Sequence, residues 1–234
     1  MKPRKSGILY LIPTVIGHTK PALVLPDSVL HHMQLLDYFI VEQVRTARRL
    51  LSQVLKDKPL NNLVFFELNK HTDLAVVPSF LDPARQGHDM GLMSEAGTPC
   101  IADPGNLVVS QAHEMGIKVV PLSGPNSIMM ALMASGLNGQ SFAFHGYLPI
   151  SGAERTKTIR RIEDQARQSS QTQIFIETPF RNNKLFEALI HTCKSTSKLC
   201  VAADITTHTE CIRTKTIADW QREKPDLHLS LIHI

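Results

Sequence analysis

The sequence of 234 residues has no apolar run approaching the ~20 residues that a membrane-spanning helix requires, so no membrane partner is expected. Its opening, Met1-Lys-Pro-Arg-Lys5, is basic, but the apolar stretch from Gly7 to Ile12 is too short for a signal-peptide core and reads as a first strand. Cysteine is scarce. The four present, Cys100, Cys193, Cys200 and Cys211, form no CxxC pair and no framework of a secreted fold, which points to free thiols in a reducing cytoplasm. The 11 histidines are scattered, and His31-His32 has no third ligand nearby, so no metal site is expected. Excess charge is small: net +4 and a pI of 8.9 permit an acidic partner such as RNA without demanding one. GxxxxGK[ST] and a helix-opening GxGxxG are both missing, which removes the usual support for nucleoside-triphosphate or dinucleotide binding. GxSxG is missing too, and no cysteine sits in a catalytic motif. There is no internal repeat and no low-complexity segment.

What is present is ordinary for a globular chain: 43% apolar and 20% charged residues. The length suffices for one large core or for two domains of about 110 residues. Residues 8–12, 38–41, 63–66, the run stopping at Ser94, and 117–121 read as strands. Helices are expected between them. One opens at Pro26-Asp27-Ser28 and presents Val29, Leu30, Met33 and Leu36 on its apolar face. A second carries Leu50, Leu51, Val54 and Leu55, with Arg45, Arg48 and Arg49 on a more exposed arc. Residues 72–81 read as helix, with Pro78 against continuity; 106–115 and 128–134 follow, the last with Met129, Met130 and Met133 as core filler and a stop at Ser135-Gly136. Five strand–helix units by residue 135 imply a parallel sheet with helices on both faces.

The pattern then changes. A strand at 142–144 precedes Gly146-Tyr-Leu-Pro149, a break suited to linking two domains, and a basic helix with Arg155, Lys157, Arg160, Arg161 and Arg167. A strand at 172–176, an amphipathic helix at 180–192, two strands at 199–203 and 209–213 close enough to pair antiparallel, and a short helix at 217–220 complete it. The expectation is two α/β domains, 1–120 and 121–234, with the boundary somewhere in 115–148 and a mixed sheet in the second. Leu229-Ser-Leu-Ile-His-Ile234 alternates as one strand and stops abruptly; it reads as a truncated or non-native end, and no weight rests on it.

Three turn-rich loops follow parallel strands: 13–17, 94–105 and 123–127. Loops of this kind gather at the carboxyl edge of a sheet and form a cleft there. In the longest, Gly97 and Gly105 admit positive φ or close ligand approach, and Pro99 and Pro104 stiffen the turns. Glu95 and Asp103 are acceptors suited to hydroxyls or a cationic group. Main-chain groups, small residues and a few carboxylates suit a compact, zwitterionic, nucleoside-containing ligand.

Ser94-Glu-Ala-Gly-Thr-Pro-Cys-Ile-Ala-Asp-Pro-Gly105 resembles the S-[DE]-A-G-T-P-x-[IV]-[SA]-D-P-G signature of the ribosomal RNA branch of the tetrapyrrole methylase superfamily. Further matches run in collinear order. Leu9 to Gly17 is similar to L-Y-x-[VI]-P-T-P-I-G, Glu42 to Arg45 to E-D-T-R, and Pro121 to Ser127 to P-L-P-G-P-S-[AS]. Phe144 to Pro149 is similar to F-x-G-[FY]-L-P, and Ile174 to Arg181 to I-F-[YF]-E-[ST]-P-[HF]-R. The chain departs from the pattern at Gln43, which replaces an acid, and at Phe65 to Lys70, which keeps Glu67 and Asn69 of a Y-H-E-H-N-E-like segment but neither histidine. It is also shorter than the ribosomal enzymes.

The resemblance implies a methyltransferase that binds S-adenosyl-L-methionine in a cleft between the two domains. Gly97, Thr98, Pro99, Ile101 and Ala102, with Glu95 and Asp103, would line the cofactor; Pro13, Gly124, Pro125 and Ser127 would shape the cleft; Glu177 and Thr178 would come from the second domain. Transfer needs an in-line nucleophile, and a ribose hydroxyl adds a need for a base or polarising group. Glu42, Arg45, Glu67 and Asn69, at strand ends, are the catalytic candidates. Arg155, Lys157, Arg160 and Arg161 are candidates for RNA phosphates. The implied activity is 2′-O-methylation of a ribose in small-subunit rRNA by a cytoplasmic homodimer whose partner is rRNA or the small ribosomal subunit. Two alternatives stand beside it: a tetrapyrrole or other small-molecule acceptor, and a cofactor- or RNA-binding protein without turnover.

Overall fold

A computed structural model describes residues 6–55, 58–223, 225, 227 and 232–233. The basic opening, residues 1–5, and most of the terminal run 229–234 lie outside them. The chain divides into two compact units, Met1–Asn126 and Ser127–Ile234.

The first unit is built on β1 (Ile8–Ile12), β2 (Tyr38–Val41), β3 (Val64–Glu67), β4 (Met90–Met93) and β5 (Lys118–Pro121), all parallel, in the order β3-β2-β4-β1-β5. Alternation along each strand sends side chains to two separate cores. Ile12, Phe39, Val41 and Met93 meet Val29 and Met33 of α2 (Asp27–Leu35) and Ala47, Leu50, Leu51 and Val54 of α3 (Val44–Val54). Leu9, Ile40, Met90 and Leu92 meet Val77, Phe80 and Leu81, together with Val108 and Ala112 of α5 (Gly105–Glu114). Between them the chain adds two four-residue helices, α1 (Pro21–Val24) and α4 (Asp82–Arg85). Right-handed crossovers explain which helix goes where: β1→β2 and β2→β3 run one way along the sheet, β3→β4 and β4→β5 the other, so their connections cover opposite faces.

The helical stretch containing Pro78 is a 3₁₀ helix, Leu74–Leu81. Proline has no N–H and its ring crowds the carbonyl four residues back, whereas the tighter i→i+3 pattern avoids that clash. The Asp73 side chain caps it by accepting from Ala75 N at 2.9 Å.

The second unit has the expected mixed sheet: β6 (Phe142–Tyr147), β7 (Thr172–Glu177), β8 (Lys198–Ala203), β9 (Cys211–Thr216) and β10 (Ile232–His233), in the order β6-β7-β10-β8-β9. Only β6–β7 is parallel among these pairs. On one face, α7 (Gly152–Ser169), α8 (Asn182–Thr192) and α9 (Ile217–Arg222) bury Ile159, Leu185 and Trp220 against Phe175 and Val201. The Trp220 indole N–H donates to Leu199 O at 2.8 Å, so this large side chain is buried without an orphaned donor.

The helix after β5, α6 (Ser127–Ser135), serves the second sheet: Ile128 and Leu132 pack on Ile174 and Ile176, and Ala131 on Ala202. Two expectations change here. Met129 and Met130 are partly buried in these clusters, but Met133 is 81% exposed and fills no core. Gly146-Tyr-Leu-Pro149 is no linker, since Gly146 and Tyr147 end β6 and Leu148 lies in the second unit's core.

Candidate functional site

β4, β1 and β5 are adjacent, so the loops that leave their carboxyl ends lie side by side. The connections after β1 and β4 depart to opposite faces, the arrangement that opens a crevice at a sheet edge. Gly97 ties these loops together. Its carbonyl accepts from Thr14 N at 2.8 Å and from Ser94 Oγ at 2.8 Å, with Thr14 Oγ1 at 3.5 Å. Asn126 Nδ2 donates to Thr98 Oγ1 at 2.5 Å. A Cβ on Gly97 would stand 3.1 Å from Pro125 O, and one on Gly124 only 2.3 Å from Pro13 Cγ. The close approach at Gly124 is therefore filled by Pro13, and both residues shape the loops from within. The buried Thr14 and Ser94 and the half-buried Asn126 were absent from the sequence-derived site; small polar side chains carry no local signal of the carbonyl or hydroxyl they meet.

The turn from Gly97 to Gly105 rests on three left-handed residues: Gly97 (φ 74°), Cys100 (φ 68°) and Ala102 (φ 63°). For Cys100 and Ala102 that conformation costs roughly 1–2 kcal/mol each. Asp103 offsets the strain: its carboxylate accepts from Cys100 N at 3.0 and 2.9 Å and from Gly105 N at 2.7 Å. Asp103 is thus turned onto its own loop. Burial raises its pKa, and the Gly105 and Cys100 N–H groups pull the other way. The outer rim is left to Thr98, which is half-buried, and to the exposed Ile101 and Ala102, while Pro99 is buried beneath.

The catalytic candidates collect at the neighbouring strand ends. Glu42 Oε1 accepts from Glu95 N at 3.3 Å. Glu67 accepts from Val44 N, at the start of α3, at 3.4 Å and from Asn69 Nδ2 at 2.8 Å, and Asn69 Oδ1 accepts from His71 N at 2.8 Å. Glu67 and Asn69 therefore act as caps for helix and turn. Arg45 is exposed, as is Arg49; Arg48 is half-buried with its guanidinium 5.4 Å from the Phe65 ring centre. Gln43 Oε1 accepts from Thr46 Oγ1 at 2.6 Å, so an amide suffices at this helix entrance.

Burial raises the pKa of Glu42, helped by Asp103 and Glu95 and opposed by the Glu95 N–H. Burial likewise raises Glu95, helped by Glu67 and opposed by Thr46 and Gln43. Carboxyls with raised native pKa values bind more protons folded than unfolded in the interval between the two values. Their contribution to stability is therefore larger below that interval and declines as pH rises through it. The urea midpoint attributable to them should increase from neutral toward mildly acidic pH. Glu42→Gln with Glu95→Gln should flatten that change; an unaltered pH profile in the double variant would refute the assignment.

Ser127, Glu177 and Thr178 belong to the second unit. Glu177 is 2% exposed, pairs with Arg181 Nη2 at 2.6 Å and accepts from Thr178 N at 2.8 Å. The carboxylate expected to meet a ribose or ammonium is already neutralised by a guanidinium. On α7, Lys157, Arg160 and Arg161 are exposed at i, i+3 and i+4 spacing and share a face. Arg155 does not join them. It is 9% exposed, with Nη1 donating to Lys184 O at 3.1 Å and Nη2 to Ile150 O, because a buried guanidinium needs carbonyl partners. A cavity of about 660 Å³ lies between α7 and the strands β7 and β8 and includes none of the predicted site residues.

Residues 29–221 match the family model of Tetrapyrrole (Corrin/Porphyrin) Methylases. The chain belongs to the tetrapyrrole methylase family. The methylase is 32% identical over 93% of its length to the ribosomal RNA small subunit methyltransferase I of Vibrio cholerae, covering 71% of that protein. To the protein of the same name from Escherichia coli O157:H7 it is 30% identical, over 93% of this chain and 73% of that one. Solved folds agree. The methyltransferase CobJ matches with a TM-score of 0.63 at 15% identity, over 97% of this chain and 93% of its own. The uroporphyrin-III-C-methyltransferase of Thermus thermophilus matches at 0.57 and 18%, over 97% and 91%. The methylase is thus an S-adenosylmethionine-dependent methyltransferase by family. Among the described residues no helix is long and apolar enough to cross a membrane.

Proposed function

We propose that the methylase transfers a methyl group from S-adenosylmethionine to a ribose 2′-hydroxyl in small-subunit rRNA. The observation that carries this reading is identity of 30–32% over 93% of the chain to proteins named for that RNA. The methyltransferase CobJ and the uroporphyrin-III-C-methyltransferase match at 15 and 18%, a level that speaks for fold alone.

The loop chemistry fits the donor. Left-handed residues at 97, 100 and 102 hold the main chain of the rim in a set shape, and the side chains on it are small. Thr98, Ile101 and Ala102, with the backbone of Gly97 and Pro99 beneath, would hold the nucleoside and amino-acid ends. Pro13, Gly124 and Pro125 shape the rim and Asp103 braces it; Ser127, Glu177 and Thr178 are the donor candidates of the second unit. The bound donor supplies an electrophilic methyl on a sulfonium. The protein's task is then to place the acceptor oxygen in line and exclude water, which accounts for much of the acceleration in such transfers. Glu42, its carboxyl raised by burial and backed by Glu95, is the group suited to take the hydroxyl proton. Arg45 would orient the acceptor, with Glu67 and Asn69 holding the strand end that carries both. The reading includes a cytoplasmic setting and a homodimer.

Label from radioactive S-adenosylmethionine should enter small-subunit particles that lack the modification. Label entering only a porphyrinoid would overturn the acceptor, and tight donor binding with no transfer would overturn the activity. RNA phosphates should meet the exposed row Lys157, Arg160 and Arg161. Changing all three to Ala should weaken RNA binding and lower the slope of log K against log salt by about 2, since each single-strand phosphate contributes ~0.7. Donor affinity should not change. An unaltered salt slope would return this row to being a solvated face.

A further inference from the structure

We propose that the end of the second unit where β6 and β7 finish is a stacking platform for unpaired nucleotides of the RNA substrate. The inference rests on the RNA reading above and adds how the RNA is held. An open cleft of about 640 Å³ there is lined by Tyr147, Pro149, Ile150, Glu154 and Arg181 among others, a size within the ~300–1,000 Å³ range of small-ligand sites. Tyr147 is 49% exposed and Ile150 63%, and the Arg181 guanidinium lies 5.8 Å from the Tyr147 ring centre. Phe180, next to Arg181 on the turn Pro179–Arg181, is 93% exposed. Large apolar side chains so open forgo the stabilisation of burial, and clustered exposure of this kind marks an interaction surface.

The chemistry selects the occupant. Arg181 is fixed by Glu177 at 2.6 Å and by Thr178 Oγ1, which accepts from its Nε at 3.1 Å. Its charge is therefore balanced, and what it offers is a rigid plane beside an aromatic ring. Planar guanidinium and aromatic faces are what unstacked bases pack on, with little regard to sequence. The cleft borders Ser151 and Glu154, at the start of the helix that carries Lys157, Arg160 and Arg161. Arg155, bonded to Ile150 O and Lys184 O, holds that helix start against the cleft wall. A basic row running away from an aromatic cleft matches a single strand, whose phosphates follow the cations while its bases enter the cleft. Glu154 is the one acidic side chain among the described lining residues, and it disfavours a phosphate inside the cleft itself.

The test compares Tyr147→Ala with Phe180→Ala, singly and together, for binding to single-stranded and duplex RNA, alongside Tyr147→Phe and Phe180→Tyr. Each Ala change should weaken single-strand binding by roughly tenfold, with the aromatic replacements near the unaltered protein, duplex binding little affected, and donor affinity and salt slope unchanged. That last point separates stacking from phosphate contact. Undiminished single-strand binding by the double variant would overturn the platform while leaving the RNA reading intact. Equal losses on single strand and duplex would also overturn it. If the unaltered protein binds no RNA, both readings fall. If the Ala variants change the mass of the assembly in solution and not RNA binding, the surface is an interface between copies and the proposal is wrong.

Discussion

Gly97→Val is expected to abolish binding of S-adenosylmethionine. Gly97 has φ 74°, a region in which an ordinary L-residue is strained by roughly 1–2 kcal/mol, more when it is β-branched. The new Cβ would stand 3.1 Å from Pro125 O and 3.7 Å from Ile16 Cγ1, so the branch has no space without moving the loop after β5. Moving Gly97 also strains the carbonyl on which Thr14 and Ser94 converge. These costs fall on the same few residues proposed to hold the donor, and a loss of at least about 100-fold in affinity, some 2.7 kcal/mol, follows. Gly97→Ala shares the backbone strain but not the branch, and should lose about tenfold. Calorimetric titration of each variant with the donor checks this, after a thermal melt establishes that the variant is folded. Unchanged affinity in Gly97→Val would remove the loop from the site.

Asp103→Ala should be the most damaging change that leaves the loop's φ-sensitive residues untouched. One carboxylate satisfies the N–H groups of Cys100 and Gly105, and it is half-buried. Hydrogen bonds to a charged acceptor contribute about 1.5–3 kcal/mol, so losing both is expected to cost about 2–4 kcal/mol after partial rescue by water. Cys100 and Ala102, no longer held, would relax from positive φ, and the rim would lose its shape. Donor affinity should fall by about tenfold or more together with the urea midpoint. Asp103→Asn keeps one oxygen and should lie between. A destabilised variant with full donor affinity would show that Asp103 supports the unit but not the site.

Much of the architecture was legible because its cues are local. Apolar runs of four or five residues, each followed by turn residues and an amphipathic stretch, mark the strands of the first sheet and its helices, and the pattern change after residue 135 marks the mixed sheet. The positions that misled were those whose side chains are taken up by backbone or charged groups that neither a motif nor the hydrophobic period announces. Arg155 sits in a basic helix and looks like its neighbours, but the carbonyls of Ile150 and Lys184 draw it inward. Asp103 and Glu177 look like open carboxylates, yet one is taken up by backbone N–H groups and the other by Arg181. Met133 has the composition of core and the position of surface.

The sequence by itself determined the family, the alternation of strand and helix, and the stretch from Gly91 to Gly105 as the loop to watch, since motif order and hydrophobic period are properties of the chain. Only the tertiary structure decided the strand order and the inward turn of Asp103 and Arg155. It also joined Thr14 to Gly97 across 83 residues. Buried donors and charges take whichever partners folding brings within reach, and local pattern does not say which those will be.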